Sequence, residues 1–149
     1  LYPDSAVFHA DDFFLRPEQR TEARYAQPGG NLDRERLETE ILIPLSRGEN
    51  PEYRPFDCRA MSLVAPQHGQ VARLNIVEGS YSLHPELERR YDLSVFLEIS
   101  PETQRRRVLE RNGPEWGQRF FERWIPLENT YHEATRTAER CTLRLEEEP

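Results

Sequence analysis

The residues of this chain that can do chemistry gather where short apolar runs stop. His9-Ala10-Asp11-Asp12-Phe13-Phe14 closes the run Ala6-Val7-Phe8-His9. Two adjacent carboxylates at the C-terminal end of a strand can accept a hydroxyl proton or hold a hydrated metal ion. The same pair also suits a helix N-cap or a turn, where Asp is common, and both readings stand on the pair alone. Glu78-Gly79-Ser80-Tyr81 follows the run Leu74-Asn75-Ile76-Val77, and an acid in that place suits a ligand to Mg²⁺-bound water near phosphates. Arg105, Arg106, Arg107 and Arg111 lie on one predicted helix, with Arg107 and Arg111 spaced i,i+4 on a shared face. The stretch 112–117 reads as a flexible break, and Arg119 follows it. Arginines around a mobile loop, here 105–119, suit a phosphoryl-transfer lid that closes cations over the reacting group. They equally suit a solvated helix paired with Glu102 and Glu110. In the polar, aromatic stretch 50–58, Tyr53 and Phe56 could stack on a flat base while Arg54 or Asp57 bonds its edge or sugar. A loop anchored by two aromatic rings is the other reading.

These residues need elements to position them. Four runs read as buried strands: Ala6–His9, Leu74–Val77, Leu93–Ile99 and Cys141–Leu145. Helical patterns lie between them. Asp33–Arg47 places Leu37, Ile41 and Leu45 four apart, with Gly48 as the stop. Pro101–Arg111 follows Ser100, a good N-cap, with Glu102 in the first turn. Gln118–Thr137 carries Phe120, Trp124, Leu127 and Tyr131 along one face, and Pro126 should kink or split it. Strands alternating with helices predict an α/β chain, a three-layer α/β/α sandwich on a parallel sheet. Ligands of such folds collect beyond the carboxyl ends of the strands, where Asp11, Asp12 and Glu78 fall.

Composition narrows the classes. All 20 basic residues are arginine, so no lysine Schiff base, lysine general base or P-loop lysine lies in residues 1–149. A net charge of −7 argues against a general nucleic-acid binder. Mean hydropathy is −0.85 and no long apolar run is present, so no membrane span is expected. No signal-peptide pattern opens the chain, and Cys58 and Cys141 read as two free thiols, so the expected setting is the cytoplasm. The length suits one domain over 1–149, and Glu146-Glu147-Glu148 reads as a solvated tail. Self-association is left open.

Taken together, the strings FHADDFFLRPEQR, PGGNLDRERL, YRPFDC, LNIVEGSYS, VFLEISPETQRRRVLERNG and RFFERWIPLENTYHE resemble the uridine kinase and phosphoribulokinase group of P-loop kinases, in particular the compact bacterial uridine kinase-like proteins. The resemblance covers most of the chain and implies a P-loop NTPase fold of the nucleoside kinase type, with ATP and Mg²⁺ as cofactors and a nucleoside as substrate. It also implies roles. Asp11 matches the acid that takes the proton of a sugar 5′-hydroxyl, with Asp12 beside it, and Phe14 matches an aromatic against the nucleoside. Asp33 falls near the substrate side. Tyr53, Arg54 and Phe56 fall in the base-binding segment, although YRPFDC differs from the better-known form. Glu78 matches the acid near Mg²⁺, and Arg107, Arg111 and Arg119 match lid arginines on phosphates. The departure is at the front: the family's first strand and its Gly-rich loop ending in Gly-Lys-Ser/Thr have no counterpart in residues 1–149. A strand–loop–helix unit of roughly 30 residues is thus missing from residues 1–149, and either it lies upstream of Leu1 or the sheet is completed some other way. Without it, residues 1–149 are expected to be inactive. A kinase of another small hydroxylated metabolite, and a non-catalytic nucleotide-binding module without a P-loop, are the alternatives.

Overall fold

The computed structural model describes residues 2–146. Leu1 and, from the acidic tail, Glu147 and Glu148 lie outside the described residues. The chain forms two compact units, Leu1–Tyr91 and Asp92–Pro149.

In the first unit, Val and Phe favour a pleated strand, and β1 (Ser5–His9) pairs in parallel with β6 (Leu74–Glu78). The register sets Val7 against Ile76, Phe8 against Val77 and His9 against Glu78. Alternation along β1 turns Phe8 inward, whereas Val7 and Ile76 remain 49% and 40% exposed on the opposite face. Between these strands lie a single helical turn, α1 (Glu22–Tyr25), and a longer helical stretch beginning at α2 (Arg34–Leu37). Asp33 caps α2 by accepting the Arg36 N–H at 3.2 Å. The stretch continues through a π-helical turn, Glu38–Leu42, into α3 (Ile43–Ser46), and Gly48 closes it at φ +70°. Two small antiparallel pairs follow, β2 (Glu52–Tyr53) with β5 (Gln67–His68) and β3 (Phe56–Asp57) with β4 (Ser62–Leu63). Phe8, Phe13, Leu15, Leu32, Leu37, Ile41, Leu42 and Leu87 are buried together in this unit's apolar interior.

The second unit starts with β7 (Val95–Glu98), parallel to β8 (Leu143–Glu146). Between them runs α4 (Pro101–Arg119), capped where the Ser100 hydroxyl accepts the Thr103 N–H at 3.1 Å. A π-helical turn, Phe120–Trp124, leads into α5 (Ile125–Thr135), and Arg136 in the left-handed region separates that helix from α6 (Thr137–Arg140). Tyr131 is fully buried, and burial pushes its hydroxyl up to about 12.

All four expected strands form, and they are parallel in pairs. The helices depart from expectation in an instructive way. Leu37 and Ile41 are buried as predicted, but their third partner is Leu42 and not Leu45. Likewise Tyr131 is buried while Leu127 is 43% exposed. A proline cannot donate to the carbonyl four residues back, and its ring crowds that carbonyl. In each case the turn ahead of an Ile-Pro-Leu segment widens, so that Ile43 N–H reaches Glu38 O and Ile125 N–H reaches Phe120 O. Each widened turn holds one extra residue and rotates the helix beyond it. The Gln118–Thr137 pattern is thus divided next to Pro126, by a widened turn and not by a non-helical residue. The break expected over 112–117 is present but narrower: two helical stretches meet at a kink confined to Gly113, at φ +73° and ψ 170°, directly ahead of Pro114.

Buried His84 contributes a pH dependence. Loss of hydration, followed by the nearby Arg34 charge, lowers its pKa to about 4. The unfolded chain takes up this proton near pH 6.5, the folded chain only near 4. Stability from neutral His84 is thus fully present above pH 6.5 and is lost as pH falls through 4, a change of roughly 3 kcal/mol. Urea unfolding at several pH values should show that decline in the wild type and a shallower slope in His84→Gln. Equal slopes in the two proteins would place the proton uptake elsewhere.

Candidate active site

The parallel register of β1 and β6 brings two chain segments to one end of the pair. His9 and Glu78 are partners at the last rung, so the turn Ala10–Phe13 and the Gly79 bend leave the strands side by side. A 3₁₀ turn carries Asp11 and Asp12 directly off β1. Gly79 has φ +136°, and a Cβ there would lie 2.9 Å from the Ala10 Cβ and 3.6 Å from Asp11 Oδ1. Only glycine lets the two segments approach so closely. The Asp11–Asp12 turn and Glu78, each expected at a strand's carboxyl end, thus lie at the same end of one strand pair.

The electrostatics of this cluster are mutual. His9 Nδ1 hydrogen-bonds Glu78 Oε1, and that bond, strengthened by the surrounding carboxylates, raises the His9 pKa despite some loss of hydration. Asp12 is half-buried, and desolvation raises its carboxyl against the opposing pull of His9. Asp11 is exposed at the surface end of the turn. His9 is the member that sequence reasoning missed, and its signal was available: it ends one strand run as Glu78 ends the other.

The same turn reaches the aromatic segment through Phe13. Its ring is fully buried and stacks on Tyr53, with centroids 5.8 Å apart and planes 26° from parallel. Phe8 meets the Tyr53 ring edge-on at 6.2 Å. Burial and the Asp12 charge raise the Tyr53 hydroxyl's pKa, so Tyr53 and Asp12 belong to one neighbourhood. Phe14, the aromatic expected to face a ligand, is half-buried and bridges to Leu32. Phe56 is 5% exposed with the Arg20 guanidinium 5.4 Å over its ring, so its ring is a core contact here. The Arg54 side chain donates to Val64 O at 2.8 Å and Leu63 O at 3.3 Å, tying its own hairpin together. Asp33 is fully buried and caps α2, and its Oδ2 has no hydrogen-bond partner. Asp57 accepts the N–H groups of Arg59 and Ala60 in a local turn, which lowers its pKa.

The predicted lid arginines belong to the second unit. Arg111 lies over Phe120 at 5.7 Å and Arg119 over Trp116 at 4.5 Å. Arg107 is exposed on α4, and Arg106 is within 4.0 Å of Glu110.

Glu78, Asp11 and Asp12 offer carboxylate oxygens, the ligand type a hard cation takes, near the β1–β6 end. No cluster of three or more His, Cys, Asp or Glu side chains poised around a single metal occurs among the described residues.

No family model and no curated protein matches the chain. Among solved structures, a possible uridine kinase from Bacillus stearothermophilus superposes with a TM-score of 0.67 over 95% of this chain and 72% of that one, at 17% identity. The chain thus has a uridine kinase-like, mixed α/β fold with parallel sheet pieces. No described helix is long and apolar enough to cross a membrane.

Proposed function

We propose that the intact protein carrying this chain is an ATP-dependent kinase that phosphorylates the 5′-hydroxyl of a nucleoside. The observation that carries the reading is the convergence of Asp11, Asp12 and Glu78 at the carboxyl end of a parallel strand pair, within a uridine kinase-like fold. That end is where open α/β sheets hold ligands. Asp11, exposed on the turn after β1, accepts the hydroxyl proton as the oxygen attacks the γ-phosphorus of ATP and the bond to the bridging oxygen breaks, releasing ADP. Glu78, oriented by His9, and Asp12 would hold Mg²⁺ through its waters. When bound, the ion draws charge from the phosphate oxygens. Tyr53, set by Phe13 and Phe8, offers its ring to the acceptor. In this scheme ATP is the donor, and the site lies in the cytoplasm.

The inward packing of Phe56 and the hairpin contacts of Arg54 favour a second reading of the acceptor, as another small hydroxylated metabolite. A radiolabelled ATP transfer assay with the intact protein over a panel of nucleosides and other alcohols decides between them. Phosphorylation of a nucleoside 5′-hydroxyl is the expected result. Transfer only to a non-nucleoside alcohol would establish the second reading, and no transfer to any acceptor would overturn both.

A further inference from the structure

We propose that Arg36 is a positioning residue that locks the Tyr53–Phe56 hairpin segment to the Asp11–Asp12 turn and so sets acceptor binding. The inference rests on the acceptor role given to Tyr53. Arg36 is 9% exposed on the first unit's α2. Its guanidinium grips Glu40 in a fork, Nε to Oε1 at 2.7 Å and Nη2 to Oε2 at 2.8 Å. The same Nη2 donates to the carbonyl of Arg54, while Glu40 Oε2 accepts the Arg54 N–H at 3.1 Å. Both backbone polar groups of Arg54 are therefore held by one ion pair on the helix.

The guanidinium also meets the other segment. It lies 5.2 Å from the Phe13 ring centroid, and Phe13 is the ring that stacks on Tyr53. The backbone repeats the link, since Asp33 N–H donates to Phe13 O at 2.6 Å and Asp33 Oδ1 accepts the Arg36 N–H. One side chain thus spans the turn after β1 and the hairpin strand that carries Tyr53. A planar fork that bonds a carboxylate, a carbonyl and an aromatic face together is a job for arginine, and lysine cannot do all three. The ion pair Glu38 with Arg89 and Arg90 lies on the same helical stretch but touches neither segment, which makes it a fair control.

The test compares Arg36→Lys with Glu38→Gln in the intact protein. In Arg36→Lys, KM for the acceptor should rise about tenfold or more, with KM for ATP unmoved, as loss of substrate positioning requires. Glu38→Gln should leave both constants unmoved. In a Tyr53→Ala background, Arg36→Lys should add little, because the two act through one contact. Hydrogen exchange supplies a readout that needs no activity: the Arg54 amide should lose protection in Arg36→Lys and keep it in Glu38→Gln. Unchanged protection at Arg54 would overturn the clamp whether or not the protein is a kinase. An unchanged acceptor KM in an active Arg36→Lys enzyme would overturn the positioning role while leaving the kinase reading intact. A wild type that phosphorylates nothing would sink the kinase reading and the positioning role together, leaving only the clamp to hydrogen exchange.

Discussion

Replacing Asp11 with Asn in the intact protein should lower kcat by about 100- to 10,000-fold, the usual worth of a positioned general base. Acceptor KM should stay within about threefold, because the amide keeps the shape and the hydrogen-bonding reach of the carboxylate while losing its basicity. The turn itself should survive. Its backbone is fixed by the buried ring and backbone bonds of Phe13 and by the close approach of Gly79 to Ala10, and none of these needs the Asp11 charge. Steady-state kinetics over a range of acceptor concentrations gives both constants. A kcat within about tenfold of wild type would remove Asp11 from the role of base.

The second large effect is expected at Glu78. Glu78→Gln should raise the Mg²⁺ concentration for half-maximal turnover by about 10- to 100-fold, the usual cost of disturbing a metal site's carboxylate shell. The strand should persist, since its ladder to β1 is backbone-made. His9→Asn should give a weaker version of the same shift, because it removes only the group that orients Glu78. A Mg²⁺ titration of turnover in the three proteins tests the ordering. An unshifted midpoint in Glu78→Gln would take Glu78 out of the metal site.

The placement of the candidate acids at strand ends was legible in the sequence for reasons that particular residues show. Asp11, Asp12 and Glu78 each come at the end of a run of apolar residues, and such runs become strands whose ends are fixed to within a residue. Parallel pairing then does the rest, since it puts both ends on the same side. Other features depend on contacts that no local pattern announces. Phe13 and Phe14 are adjacent aromatics, and only the packed core decides that Phe13 is buried against Tyr53 and Phe14 stays half-covered. Arg36 looks like any surface arginine at i−4 from Glu40 until the hairpin arrives to place Arg54 against it. The string Asn112-Gly113-Pro114 reads as a longer loop, yet the break is confined to Gly113 and helix resumes from Pro114.

The two Ile-Pro-Leu turns have a consequence of their own. Each divides a continuous helical path into two stretches whose side-chain phases are offset by about one residue, or roughly 100° of rotation. A stripe drawn across the join belongs to no single surface: Leu37 and Ile41 share one side, and Leu45 has already turned off it. The prolines thus work as gear shifts in the winding. They let one short sequence present different neighbours before and after the join, so the two halves of each path can be altered for separate purposes without either dictating the facing of the other.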